Sequence, residues 1–109
     1  MKSNKCMKLY KTACYRITAQ SQPSVERAMH EYAAYLKREF PAQRWWTARS
    51  QEDPLSYISV IVAPDEQTNR AASDSDGTGV FVEALYPNVV GEVEWTDWHP
   101  VASTHALQG

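Results

Sequence analysis

One run of the sequence, Ser56–Ala63 (SYISVIVA), constrains the fold more than any other. It is apolar on both sides of an extended chain and rich in valine and isoleucine, which favour β-structure. A strand of this kind is typical of the middle of a sheet that is covered on both faces. A chain of 109 residues has room for one hydrophobic core. We therefore expect a single domain over 1–109, with its core in about residues 8–102.

The pattern on either side of this strand predicts the remaining elements. A long helix is indicated by Pro23 near its start, Pro41 at its end and an apolar face at helical spacing between them. That face consists of Val25, Met29, Tyr32, Ala33, Leu36 and Phe40. Further segments are predicted as a first strand Leu9–Ala19, a second strand Gln43–Ser50, a short helix 64–72, a loop Ser73–Gly79, a helix Val80–Tyr86 and a last strand Val89–Trp98.

The resulting order, β-α-β-β-α-β, predicts an α+β fold of the ferredoxin-like type, with an antiparallel sheet in the order 4-1-3-2. Charge is unevenly divided along the chain. Residues 1–50 hold ten basic and three acidic side chains, a net of +7, whereas residues 51–109 hold one basic and ten acidic, a net of −9. A basic arm that binds nucleic acid is one interpretation. The other, which we favour, is that basic and acidic strands pair in the sheet.

The helices cover one face of such a sheet and leave the other bare. Because Ser56–Ala63 is apolar on both sides, the bare face predicts an interface, and we expect a homodimer that packs sheet on sheet. No apolar run is long enough to span a membrane, and the first residues lack the apolar core of a secretory signal. Cys6 and Cys14 are expected to be reduced thiols, and no metal-ligand spacing is visible. We therefore expect a cytoplasmic protein that binds neither membrane, metal nor nucleic acid.

The pattern as a whole resembles the dimeric α+β barrel superfamily, and within it the antibiotic-biosynthesis-monooxygenase-like domains. The likeness covers nearly the whole chain and is carried by Leu9–Ala19, Val25–Phe40, Tyr57–Ala63 and the closing segment Phe81–Val101. Members of this family include oxygenases without a cofactor that act on polycyclic phenols, and enzymes that degrade haem. Their pockets lie between the sheet and its helices.

Two features depart from the family's motifs. The cofactor-free oxygenases carry Asn and Trp around the third strand and the helix after it, whereas Val60–Asn69 contains no Trp. The haem-degrading members place a histidine on the helix before the last strand, and Val80–Tyr86 contains none. We therefore expect no haem and no other cofactor.

Adjacent tryptophans supply the first candidates for ligand contact. Trp45 and Trp46 point to opposite faces of a strand, so at most one of them can line a pocket beneath the helices. Arg49 shares the face of Trp45, and the pair could hold an anionic or phenolic ring. Packing of both tryptophans in the structure is the alternative.

Three tyrosines and one histidine complete the candidate set. Tyr15, Tyr57 and Tyr86 could offer hydroxyl groups to a phenolic ligand, although tyrosines of this kind also serve as core residues. His30 is the histidine placed within a predicted helix, and we consider it a weak candidate for a general base. Two functions stay open: a cofactor-independent monooxygenase acting on a small aromatic or polyketide-like molecule, and a non-catalytic ligand-binding or structural homodimer.

Overall fold

A computed structural model describes residues 8–104; Cys6, one of the two expected thiols, lies outside them. Four strands and three helices follow one another in the order predicted, with one short additional helix. Their bounds are β1 Leu9–Ile17, α1 Gln22–Glu39, β2 Arg44–Arg49, β3 Ser56–Ala63, α2 Glu66–Ser73, α3 Asp76–Leu85, a 3-10 turn Tyr86–Asn88 and β4 Val89–Trp98.

The strands form one antiparallel sheet in the order β2-β3-β1-β4, which confirms the predicted order. Tyr15 of β1 lies opposite Tyr57 of β3, and Ala13 lies between Ser59 of β3 and Trp95 of β4. The basic first strand therefore lies beside the acidic last strand. One ion pair joins them directly, between Lys11 Nζ and Asp97 Oδ1 at 2.9 Å.

Helix α1 forms because its apolar residues repeat every three or four positions and bury one stripe. The stripe consists of Val25, Met29, Tyr32 and Leu36, all buried against the sheet. Pro23 lies in the first turn, where the backbone N–H that proline lacks would have no partner within the helix. Lys37 and Arg38 lie in the last turn, where positive charge suits the negative end of the helix dipole.

Helix α3 begins earlier than the sequence predicts. The segment expected to be a loop up to Gly79 turns helical at Asp76, whose carboxylate suits the positive end of the helix. Gly77 allows α3 to pack closely on α1, since a Cβ built at this position would overlap the ring of Tyr35. The glycines that suggested a loop are thus inside the helix, one of them at a helix contact.

A bulge interrupts the pairing of β1 with β4. The register shifts between Cys14 and Arg16, so that three residues of β4 face the single residue Tyr15. Gly91 lies in the bulge with a φ of 82°, a conformation that glycine adopts without strain. No feature of the sequence pattern predicted this irregularity.

The two faces of the sheet differ in what covers them. On one face α1 and α3 bury Ala13, Tyr15 and Ile17 of β1. The opposite face carries Ile58, Val60 and Val62 of β3 together with the exposed Trp46, Val90 and Trp98, and no helix within residues 8–104 covers it. None of the described helices has the length and apolar character to cross a bilayer.

Candidate functional site

A pocket of about 100 Å³ lies between the sheet and helices α1 and α3. Its inner end is formed by buried residues, among them Tyr15 of β1, Tyr32 of α1 and Phe81 of α3. Trp95 and Tyr86, which are 57% and 43% exposed, stand at its outer end. The pocket therefore reaches from the core to solvent.

Aromatic rings from three elements form one wall of the pocket. The ring of Tyr32 stacks on Phe81, with centroids 4.5 Å apart and planes 4° apart. Trp45 meets both rings edge-on, at centroid distances of 5.0 Å and 5.7 Å. Such a wall favours another aromatic ring as a ligand.

A row of hydroxyl groups runs across three strands, from Tyr15 and Ser59, which line the pocket, to Thr47, which lies outside its lining. The Tyr15 hydroxyl lies 2.8 Å from Ser59 Oγ, Ser59 Oγ donates to Thr47 Oγ1 at 3.2 Å, and Thr47 Oγ1 donates to the carbonyl oxygen of Ile58 at 2.9 Å. We refer to Tyr15, Ser59 and Thr47 as the hydroxyl row. It satisfies polar atoms that would otherwise be costly to bury.

A second tyrosine is anchored from the helical side. The Tyr32 hydroxyl lies 2.9 Å from Thr78 Oγ1, which donates to the carbonyl oxygen of Ala72 at 2.6 Å. Ala72 lies in the last turn of α2 and Thr78 in the first turn of α3, so this contact ties three helices together.

No side chain that lines the pocket carries a formal charge at neutral pH. Burial raises the pKa of the Tyr15 phenol above its ordinary 10.0, with the hydrogen bond between Tyr15 and Ser59 opposing the shift, and burial raises the pKa of Tyr32 in the same way. Both phenols are therefore neutral at physiological pH. Neither is suited to act as a general base.

A separate, outer groove of about 370 Å³ runs between α1 and the edge strand β2. At one end Glu26 Oε2 accepts hydrogen bonds from the Tyr57 hydroxyl at 2.6 Å and from Arg49 Nη1 at 2.8 Å. Burial and the Glu26 carboxylate both raise the pKa of Tyr57. The charge of Arg49 is thus already paired within the protein.

The predicted site residues divide between these two places. Tyr15, Trp45 and Tyr86 line the interior pocket, and Trp45 also borders the outer groove. Arg49 and Tyr57 lie at the groove, together with the exposed His30. Trp46 lies on the opposite face of the sheet and is 53% exposed. The structure thus resolves which tryptophan faces the helices.

Four polar side chains that the sequence analysis did not select contribute to the pocket or to its hydrogen bonds: Ser59, Thr47, Thr78 and the hydroxyl of Tyr32. A signal existed for Ser59, because it is the one hydroxyl on the helix-facing side of an otherwise apolar strand beyond Tyr57. Tyr32 was expected as a core residue, and its ring is one. Within residues 8–104 no three side chains of the kinds that ligate metals come together.

The fold is similar to that of solved structures described as antibiotic biosynthesis monooxygenases, as the sequence resemblance predicted. A proposed antibiotic biosynthesis monooxygenase from Bacteroides thetaiotaomicron has a TM-score of 0.82 at 13% identity, over 93% of this chain and 96% of that chain. The corresponding values for one from Caulobacter crescentus are 0.82 and 14%, over 91% and 94%. SnoaB, a cofactor-independent oxygenase from Streptomyces nogalater, gives 0.74 and 17%, over 89% and 96%. No family model and no curated protein matches the sequence.

Proposed function

We propose that this protein binds a small aromatic molecule in the interior pocket and oxygenates it without a metal or flavin. The observation that carries this proposal is the uncharged pocket with its wall of Tyr32, Phe81 and Trp45. The fold, which is shared with a cofactor-independent oxygenase, supports the same assignment. The described residues offer ring contacts and hydroxyl groups at the place where that fold leaves a cavity.

The chemistry would then depend on the substrate. Reaction of a phenol with O₂ to give a quinone places one oxygen atom on the ring and releases the other as water, with the ring supplying the electrons. The pocket would hold the ring and restrict water around it. Because no lining side chain is a base, the proton lost by the substrate hydroxyl would have to reach solvent through the open end of the pocket, beside Tyr86 and Trp95.

One observation favours a second function, that of a binding protein without catalytic activity. Oxygenation of this kind is accelerated by removing a proton from the substrate, and the pocket presents no carboxylate, histidine or lysine for that purpose. His30 is exposed on α1 and lines the outer groove instead.

We further propose that two copies pack through the face that carries Ile58, Val60 and Val62. A contiguous apolar surface of this kind is typical of an interface, and the even-numbered side chains of β3 have no other cover within the described residues. A cytoplasmic location is supported by the free, exposed thiol of Cys14, because thiols remain reduced there.

The two functions are separated by measuring binding and oxygen uptake together. A panel of mono- and dihydroxynaphthalenes is titrated against the protein with tryptophan fluorescence, and oxygen consumption and product mass are followed in parallel. Saturable binding with oxygen uptake above the uncatalysed rate is expected for the oxygenase. Binding without uptake establishes the binding protein, and absence of binding overturns both.

A matched pair of variants on α3 tests whether the interior pocket is the site. Val82 lines the pocket and Val80 does not, although both are exposed on the same helix. Val82→Trp is expected to fill the pocket and abolish binding, whereas Val80→Trp is expected to bind as the unmodified protein does. Equal binding by both variants would place the site elsewhere.

A further inference from the structure

We infer that the interior pocket selects its ligand by hydrogen-bond donors: it takes a neutral phenol, or another neutral hydroxyl compound, in preference to the corresponding ether or anion. This inference rests on the function proposed above, since it assigns the class of ligand to the same pocket. It follows from the direction in which the protons of two buried tyrosines point.

The direction is determined for Tyr15 by the hydroxyl row. A carbonyl oxygen can only accept, so Thr47 must use its single proton on Ile58. The oxygen of Thr47 then accepts from Ser59, which uses the proton of Ser59. Tyr15 must therefore donate to Ser59, and it has no proton left for a ligand. Its remaining lone pair is an acceptor.

Tyr32 is oriented by the same reasoning. Thr78 uses its proton on the carbonyl oxygen of Ala72, so the contact between Tyr32 and Thr78 is a donation from Tyr32. Two tyrosines at the buried end of the pocket thus both commit their protons to the protein. A ligand with an O–H group can donate to these two tyrosine oxygens. A ligand with acceptors alone finds no free hydrogen-bond donor at either hydroxyl.

The surroundings also disfavour an anion. No Lys, Arg or His lines the pocket. Arg49 lies in the outer groove, where its Nη1 is 2.8 Å from Glu26 Oε2. A negative charge placed beside the Tyr15 and Tyr32 oxygens would lose its hydration without gaining a hydrogen-bond donor from either of them. A neutral donor avoids that cost.

Three small probes of similar shape separate these classes: phenol, anisole and benzoate. Each is titrated at neutral pH into the full-length protein in its own oligomeric state. Dissociation constants are obtained from the amide chemical shifts of the protein. Phenol is expected to bind about fivefold more tightly than anisole, the ratio that one net hydrogen bond supplies. Benzoate is expected to bind most weakly. The phenol-to-anisole ratio is the informative quantity. The same two probes are used with every variant, so a change in the ratio between variants does not come from probe size.

Variants of the hydroxyl row give the decisive comparison. Tyr15→Phe removes the acceptor and is expected to lower the phenol-to-anisole ratio severalfold. The double variant Thr47→Val/Ser59→Ala removes the groups that hold the Tyr15 proton, so that Tyr15 can donate to a ligand. This variant is expected to bind anisole more tightly. The phenol-to-anisole ratio then falls because anisole binding improves, and not because phenol binding weakens. Tyr35→Phe, on a ring outside the pocket, is the matched control and should leave the ratio unchanged.

Each outcome distinguishes this inference from the function on which it rests. If phenol and anisole bind equally, or benzoate binds best, with shifts at pocket residues, the donor rule is wrong while the aromatic pocket stands. The rule is also wrong if the double variant retains the ratio of the unmodified protein. If none of the three probes shifts pocket residues in a saturable way, both the rule and the aromatic pocket fail.

Discussion

Trp45 presents the edge of its indole to the ring of Tyr32, with centroids 5.0 Å apart and planes 75° apart. The contact joins the edge strand β2 to the middle of α1, and Phe81 extends it to α3. Because Trp45 is only half-buried, it both closes the core and borders two cavities. It therefore has a structural role and a predicted role in binding.

Truncation of Trp45 should cost less than loss of a fully buried tryptophan. Such losses cost about 3–5 kcal/mol, and for the half-buried Trp45→Ala we expect about 2 kcal/mol, measured by denaturant unfolding. Arg49→Ala removes an ion pair whose arginine side chain is 52% exposed, and we expect less than about 1 kcal/mol. If Trp45→Ala fails to fold, its part in the core outweighs any part in binding.

The approach of Tyr35 to Gly77 gives a test of the contact between α1 and α3. A Cβ at position 77 would overlap the Tyr35 ring, so Gly77→Ala is expected to displace the ring and lower stability by about 1–3 kcal/mol. Gly79 has nothing within 4 Å of the same built atom. Gly79→Ala is the control and should raise stability by about 0.5–1 kcal/mol, since alanine is the better helix former. Equal effects of the two changes in calorimetry would contradict the packing.

Asp53 should make stability depend on pH in acid. The Arg16 guanidinium binds both of its carboxylate oxygens, and with Ser56 it lowers the pKa of Asp53 from 3.8 to about 2. A depressed folded-state pKa stabilises the protein above the unfolded value, and this contribution is lost as the pH falls from about 4 toward 2. Asp53→Asn should lower stability at neutral pH and flatten the acid part of the profile. Parallel profiles for both proteins would exclude the ion pair as the cause.

The buried tyrosines should make stability depend on pH in alkali. Burial raises the pKa values of Tyr15 and Tyr32 above 10.0, so their contribution is present below pH 10 and is lost as the pH rises through the folded-state values. Tyrosinate absorbance should show phenols that titrate late, and Tyr15→Phe should remove one of them. That variant should also lose about 1 kcal/mol with its hydrogen bond to Ser59. A late titration unchanged in Tyr15→Phe would contradict this assignment.

The proposed homodimer is tested by a charge on its open sheet face. Val60→Asp places a carboxylate in the middle of β3, and we expect the sedimentation mass at micromolar concentration to fall from two chains to one. Val80→Asp, on the exposed side of α3, is the control and should leave the mass at two. A mass of one chain for the unmodified protein would exclude the dimer.

Much of the fold could be predicted because its signals are local. The stripe from Val25 to Leu36 repeats within one helix, and Ser56–Ala63 carries its two apolar faces in eight residues. The bulge at Gly91 and the early start of α3 could not be predicted in this way. Both depend on partners far along the chain, Tyr15 for the bulge and Tyr35 for the contact at Gly77.

The candidate site shows the same division more strongly. Parity on a strand placed Trp45 and Arg49 on one face, but it could not say which face, because that requires a neighbouring strand in register. Tyr15 and Ser59 are 44 positions apart, and neither residue carries a local mark of the other. The pocket could therefore be anticipated as a place in the fold, whereas its hydrogen bonds could not.

The strand order β2-β3-β1-β4 has a consequence for how the chain acquires its structure. Strands β1 and β2 belong to the basic half of the sequence, and β3 and β4 belong to the acidic half. Every neighbouring pair in the sheet therefore joins one half of the sequence to the other. Neither half can make a strand pair by itself. During synthesis on a ribosome, no strand pair of the sheet can form until β3 has emerged. Helix α1 can form before that point.

The same arrangement makes the chain a candidate for reassembly from two pieces. A cut in the turn between Arg49 and Ser56 would give fragments of opposite net charge, each holding strands that pair only with the other's. Attraction between them would speed their encounter in dilute salt and weaken as salt is added. The uneven charge along the sequence would then favour association of each fragment with the other over association with a second copy of itself.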